Sequence, residues 1–180
     1  MTGRGTWAGM AARRYVVGVA SNPSPDLTLT SLSGDSRELS QWLTTFHLAS
    51  VVLDPFTNES AWVLKPAARI LAAMRDTAAR MNFVVCGTAE EAKQFLGPLA
   101  DEFLVFVDPD RVAVRGLGLQ KLPAFVFIRS DGTLQGAAEG WDPAEWKIVA
   151  DTIATTTAWI APPVPGPGDP GPFHGTPALV

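Results

Sequence analysis

One thiol is the obvious nucleophile in this chain. Cys86 ends the apolar run Phe83–Cys86 and is followed by Gly87 and by Thr88-Ala89-Glu90-Glu91, a helix-capping pattern. At a helix N-terminus the dipole lowers a thiol's pKa and favours a sulfenic acid or a mixed disulfide. The competing reading is a small buried hydrophobe, because free cysteine is among the most buried residue types. His47 and His174 are the only histidines. Neither has Cys, Asp or Glu neighbours at metal-ligand spacing, so no metal and no cofactor is expected. His47 reads as the end of a helix, where a cation is mildly favoured. Ser60 lies with Thr57 and Asn58 in a helix-start cluster and reads as a cap. Asp54, before Pro55, is suited to capping the next turn or accepting a partner's hydrogen bond, and Asp108-Pro109-Asp110 reads as a turn and N-cap. Gly116-Leu117-Gly118 lacks the strand-to-helix context of a phosphate loop.

The elements that must position these groups follow from periodicity. Leu27 and Leu29 with alternating threonines suggest a short edge strand, and Asp35-Ser36-Arg37-Glu38 is a capping-box pattern before Leu39, Trp42, Leu43 and Phe46 at helical spacing. Ser50–Phe56 reads as a strand, followed by a helix burying Val63, Ala67, Ile70, Leu71 and Met74 that Pro66 should kink. Next come the Phe83–Cys86 strand, a helix burying Ala92, Phe95, Leu96 and Leu99, and the apolar segment Phe103–Val107. Pro123 cannot donate to a sheet ladder, so it opens the strand Ala124–Ile128. Ser130-Asp131-Gly132 is the hairpin turn, Thr133–Ala137 the return strand, and Asp142-Pro143-Ala144-Glu145 an N-cap with proline at the first helical position. The βαβα order closed by a hairpin and a helix gives an α/β fold: a central mixed sheet with helices on both faces.

The lead-in Gly118-Leu119-Gln120-Lys121-Leu122-Pro123, the hairpin after it and the Asp-Pro segment Val107-Asp108-Pro109-Asp110 resemble the C-terminal half of a thioredoxin-like fold, in its TlpA-type and peroxiredoxin-like branch. The resemblance implies that Pro123 is the superfamily's cis-proline, facing the redox site. Redox-active members carry a CxxC with a proline five residues after its second cysteine. If Pro66 is that proline, the two cysteine positions are Asn58 and Ala61, and the motif is degenerate. Disulfide exchange needs a thiolate, and an asparagine amide cannot replace it. The carboxylate that many thioredoxins bury six residues before the first cysteine is replaced by Val52.

What the resemblance leaves is binding. In the superfamily the backbone beside the cis-proline pairs with an extended peptide. Here that groove would be lined by Phe56, Trp62, Leu122, Pro123 and Trp141, although core or helix-face packing is the first reading of the two tryptophans. The expected role is a redox-inactive thioredoxin-like module for a protein or peptide partner. The alternatives are a one-cysteine thiol oxidoreductase or peroxidase using Cys86, and an accessory subunit of a larger assembly.

Composition bounds these readings. At 180 residues and 47% hydrophobic content the chain suits one domain with a sizeable core, read as an arm over 1–21, the domain over 22–160 and a tail over 161–180. A net charge of −4, without clustered Lys and Arg, argues against nucleic acid. No apolar run approaches the ~20 residues of a membrane span. The stretch Tyr15–Ala20 is short for a secretory core, and one cysteine permits no internal disulfide, so the expected location is cytoplasmic. The tail holds seven of the fifteen prolines and is expected to form neither helix nor sheet. It reads either as a solvated end or as a strap anchored by Phe173 and Leu179-Val180.

Overall fold

The computed structural model describes residues 20–179, so nearly all of the expected N-terminal arm lies outside the described residues. The elements run β1 (Thr28–Ser31), β2 (Ser36–Glu38), α1 (Leu39–Trp42), β3 (His47–Leu53), α2 (Asn58–Trp62), α3 (Leu64–Ala73), β4 (Ala79–Val85), α4 (Ala89–Leu96), α5 (Leu99–Glu102), β5 (Leu104–Val107), α6 (Val112–Leu117), β6 (Lys121–Leu122), β7 (Ala124–Ile128), β8 (Leu134–Glu139), α7 (Pro143–Thr157) and β9 (Thr176–Pro177). Seven strands form one sheet in the order β2-β1-β5-β4-β3-β7-β8, and β6 pairs with β9 separately. Strands β3, β4 and β5 are mutually parallel, while β1, β7 and β8 join antiparallel. This is the expected α/β class: a central mixed sheet flanked by helices and closed by a hairpin and a helix.

The period-2 alternation of the strands builds two cores. Ala49, Val51 and Leu53 of β3, Phe83 and Val85 of β4, and Phe125 and Phe127 of β7 pack under α3, α4 and α7 with Ile70, Leu96, Trp146 and Ile153. The opposite face carries Leu48, Val52, Val84, Cys86, Ala124 and Val126 under α1 and α6, with Trp42, Leu43, Val114 and Leu117. Trp146 is fully buried between Phe125 and Trp141, and its Nε1–H donates to the Gly140 carbonyl.

Several local expectations are corrected. The helix expected after Asp35–Glu38 is one turn long, because Ser36–Glu38 pairs with β1 as the sheet edge and the capping box moves to Glu38 and Gln41. β1 is therefore not an edge strand. His47 does not end a helix: it opens β3, where its Nδ1 accepts from the Ser130 N–H. Burial and the Arg129 charge lower its pKa, against the pull of Asp131. The expected helix over Val63–Met74 breaks at Val63, between α2 and α3, three residues before Pro66. A proline ring crowds the carbonyl of the residue four before it, so it is tolerated in the first turn of α3. The hairpin turn has Gly132 at φ 86, and the return strand starts at Leu134. Asp142 caps α7 by accepting from the Ala144 and Glu145 amides, with Pro143 at the first helical position. Among the described residues no helix is long and apolar enough to cross a membrane.

Candidate functional site

Three adjacent parallel strands end in polar residues at the same level of the sheet. Asp54 follows β3, Cys86 follows β4 and Asp108 follows β5, and all three are buried. In α/β sheets the carboxyl ends of the strands are the usual ligand side. Asp54 Oδ1 accepts from the Phe56 N–H and its Oδ2 meets Arg111 at 2.7 Å, so its turn-capping expectation holds and a partner lies within the chain. The Asp108 carboxylate accepts from the amides of Val112, Ala113 and Val114, which makes it the cap of α6. Burial pushes the Asp108 carboxyl up, against the pull of those amides and of Arg115. Among the described residues no three of His, Cys, Asp and Glu gather to hold a metal.

Cys86 faces the core of Val52, Val84, Phe106 and Val114 and is 2% exposed. Burial pushes its thiol up to about 12 from 9.0, with Asp108 and Asp54 acting in the same direction and Arg111 against them. At neutral pH it is a protonated thiol without access to solvent, the opposite of what nucleophilic exchange requires. The folded pKa lies above the unfolded one. The stabilisation from Cys86 is therefore complete below pH 9.0 and lost as pH rises toward 12. Denaturant unfolding should show wild type and Cys86→Ala in parallel below pH 9.0, with wild type falling more steeply above it. Parallel curves through the whole alkaline range would contradict the buried thiol.

Asn58 and Ala61, the positions that the resemblance assigns to a CxxC, are both exposed. Asn58 opens α2 after the Thr57 cap, whose hydroxyl accepts from the Ser60 N–H, and Ala61 lies one turn on. Ser60 is buried and donates no chemistry outward: its hydroxyl accepts from the Asp54 N–H at 2.9 Å. Of the five residues expected to line a groove, Phe56 is 70% and Trp62 54% exposed, flanking this turn. Leu122, Pro123 and Trp141 are buried, and the Leu122–Pro123 peptide bond is cis. The chain's own C-terminal segment lies on two of them, pairing with Leu122 and with Trp141.

That segment is the largest departure from the sequence reading. β9 pairs antiparallel with β6, in register Lys121↔Pro177 and Leu122↔Thr176. The tail was expected to form no sheet. In an antiparallel pair, however, only alternate residues aim their amides at the partner, so a proline with its nitrogen turned away is tolerated. Upstream, Trp141 and Phe173 exchange both backbone hydrogen bonds at 2.9 Å, and the Ala178 N–H donates to Gln120. The side-chain anchors are the buried Val164 and Ala178 together with the half-buried Phe173, whereas Leu179 stays 48% exposed. Arginines clamp both ends. Arg69 donates to the Pro163 carbonyl and pairs with Asp169 at 2.7 Å, and Arg111 donates to the Ala178 carbonyl while pairing with Asp54.

Arg111 is the residue sequence reasoning missed. It precedes α6 at φ 55, a left-handed conformation that aims its side chain across the strand ends. A groove of about 730 Å³ with Arg37, Arg80 and Lys93 in its lining lies elsewhere, at the Phe103–Val105 end of β5. Its cations are engaged, by Asp35 and Trp42, by Phe46, and by Glu90 respectively.

No family profile and no curated protein matches the sequence. Solved structures do match. A secreted Mycobacterium tuberculosis disulfide oxidoreductase homologous to E. coli DsbE is 20% identical, over 64% of this chain and 84% of that one, with a TM-score of 0.53. The thioredoxin domain of a thiol-disulfide oxidoreductase from Bacteroides vulgatus is 12% identical over 77% and 98%, with a TM-score of 0.59. Xanthomonas campestris peroxiredoxin Q is 14% identical over 74% and 91%, with a TM-score of 0.58. The chain has a thioredoxin-like fold, and its structural neighbours lie in the oxidoreductase and peroxiredoxin branch.

Proposed function

We propose that this chain is a redox-inactive thioredoxin-like binding module that recognises an extended segment of a protein partner at the backbone edge of β6, beside Pro123. One juxtaposition carries the reading. An extended strand pairs with Lys121–Leu122, and the resemblance assigns the two dithiol positions to Asn58 and Ala61, neither of which is a cysteine. Strand addition supplies affinity through main-chain hydrogen bonds, and flanking side-chain sites supply selectivity. The exposed Trp62, edge-on to the Phe173 ring, is the flanking apolar surface, while the exposed Phe56 lies with Pro55, Glu91 and Phe95 beside α4; large amphipathic rings are favoured anchors at interfaces. Such a module works alone or as an accessory subunit, and the lone cysteine fits a cytoplasmic setting.

The one-cysteine alternative would require Cys86 to leave its core. Insulin reduction driven by dithiothreitol separates the readings: turnover should equal the protein-free control for wild type and for Cys86→Ser. Turnover above the control in wild type that disappears in Cys86→Ser would reinstate thiol chemistry.

A further inference from the structure

We infer that the β6 edge takes peptides of the form aromatic-x-Gly-Thr-x-Ala, and that residues 173–178 of this chain, Phe-His-Gly-Thr-Pro-Ala, occupy it in cis as a built-in competitor. This rests on the reading of β6 as a binding edge and adds the ligand's pattern and its control.

The glycine requirement is steric. Gly175 has φ 82, and a Cβ placed on it would lie 2.5 Å from the Leu122 carbonyl oxygen and 3.1 Å from the Gly140 Cα. Gly140, on the domain side, has φ 73, and its Cβ would lie 2.5 Å from the His174 carbonyl oxygen. Real carbon–oxygen contacts do not reach that distance, so the two backbones approach only because both residues are glycine. The threonine is read twice, by strand pairing opposite Leu122 and by its Oγ1, which donates to the Leu122 carbonyl at 3.3 Å. Ala178 is fully buried in the core that also holds Leu119, Leu122 and Ala124, so a polar or charged side chain is excluded at this position. At the other end the Phe173 ring meets Trp62 edge-on at 5.5 Å. Pro177, His174 and Leu179 are exposed and unspecified.

The tail is built to compete rather than to be permanent. Six prolines between Pro162 and Pro172 stiffen the spacer and reduce the entropy lost when the end docks. An intramolecular segment on such a tether acts at an effective concentration on the order of millimolar. Along residues 173–178 the strand pairing itself is backbone hydrogen bonding, which any peptide of the right pattern can replace.

The test uses full-length protein and a fluorescent peptide of residues 170–179, PGPFHGTPAL. Two variants confined to the tail, Gly175→Val and Ala178→Asp, should unseat it without touching the domain, so a folding failure of one leaves the other. Hydrogen exchange should find the Phe173 and Ala178 amides protected in wild type and exposed in both variants. Both variants should bind the peptide at least about tenfold more tightly than wild type, because an edge filled in cis is available only in the fraction of molecules whose tail is open. A peptide carrying Gly175→Val should bind neither. If wild type and variants bind the peptide equally well, the edge is a peptide site but the tail does not control it: the inference fails and the proposed function stands. If the variants release the tail and still bind no peptide, the edge is not a site in trans, and both fail.

Discussion

Asp54→Ala should destabilise the protein by about 3–5 kcal/mol, because it strands a guanidinium below the tail without its counter-charge. The pair is formed at 2.7 Å, with the Arg111 side chain 12% and the Asp54 side chain 6% exposed. Two further bonds depend on the same groups, the Phe56 N–H to Asp54 Oδ1 and Arg111 to the Ala178 carbonyl. An exposed ion pair would be worth about 0–1 kcal/mol, so the size of the effect reports on burial. The sign of the coupling decides the mechanism. Removing both charges in Asp54→Ala with Arg111→Leu should cost less than Asp54→Ala alone, since no isolated charge remains inside. Urea unfolding of the three variants gives the cycle. A loss below about 1 kcal/mol for Asp54→Ala, or simple additivity, would mean that water reaches the pair and that Arg111 does not clamp the tail.

Local chemistry made part of this architecture legible. The Thr88 and Asp142 caps, the Gly132 turn and the proline opening β7 are each decided within a few residues, and each was read from such a window. The sheet faces were legible because the strands alternate. What escaped was decided over distance. His47 looks like a helix end by spacing, yet pairing with Ala79 of β4 and capture of the Ser130 amide make it the start of a strand. α6 has only 6 residues, too few for a periodic signal, and is held by the Asp108 carboxylate before it and by the burial of Ala113, Val114 and Leu117. Asp54 and Arg111 are 57 residues apart in sequence, and no motif announces a pair of that separation.

The tail shows the same limit more sharply. Its prolines argue correctly against helix and against an extended ladder, and they say nothing about a two-residue pairing in which the proline nitrogen points away. Phe173 was legible as an anchor. Ala178 was not, because a methyl group carries no signal until its buried surroundings are known.

If the protein works, as proposed, through the backbone edge at β6 and not through a thiol, one added methyl group at that edge should cause a large loss of binding. In full-length Gly175→Val, whose tail is released, the peptide of residues 170–179 should bind saturably and should protect the backbone amides around Lys121–Leu122 and Trp141 from hydrogen exchange. Adding Gly140→Ala, which puts a Cβ into the strand's path, should weaken binding at least about a hundredfold, roughly 2.7 kcal/mol, with near-ultraviolet circular dichroism confirming the fold. Cys86→Ser in the same background should leave affinity unchanged. Binding that survives Gly140→Ala, is lost in Cys86→Ser, or protects amides away from β6 would contradict the account.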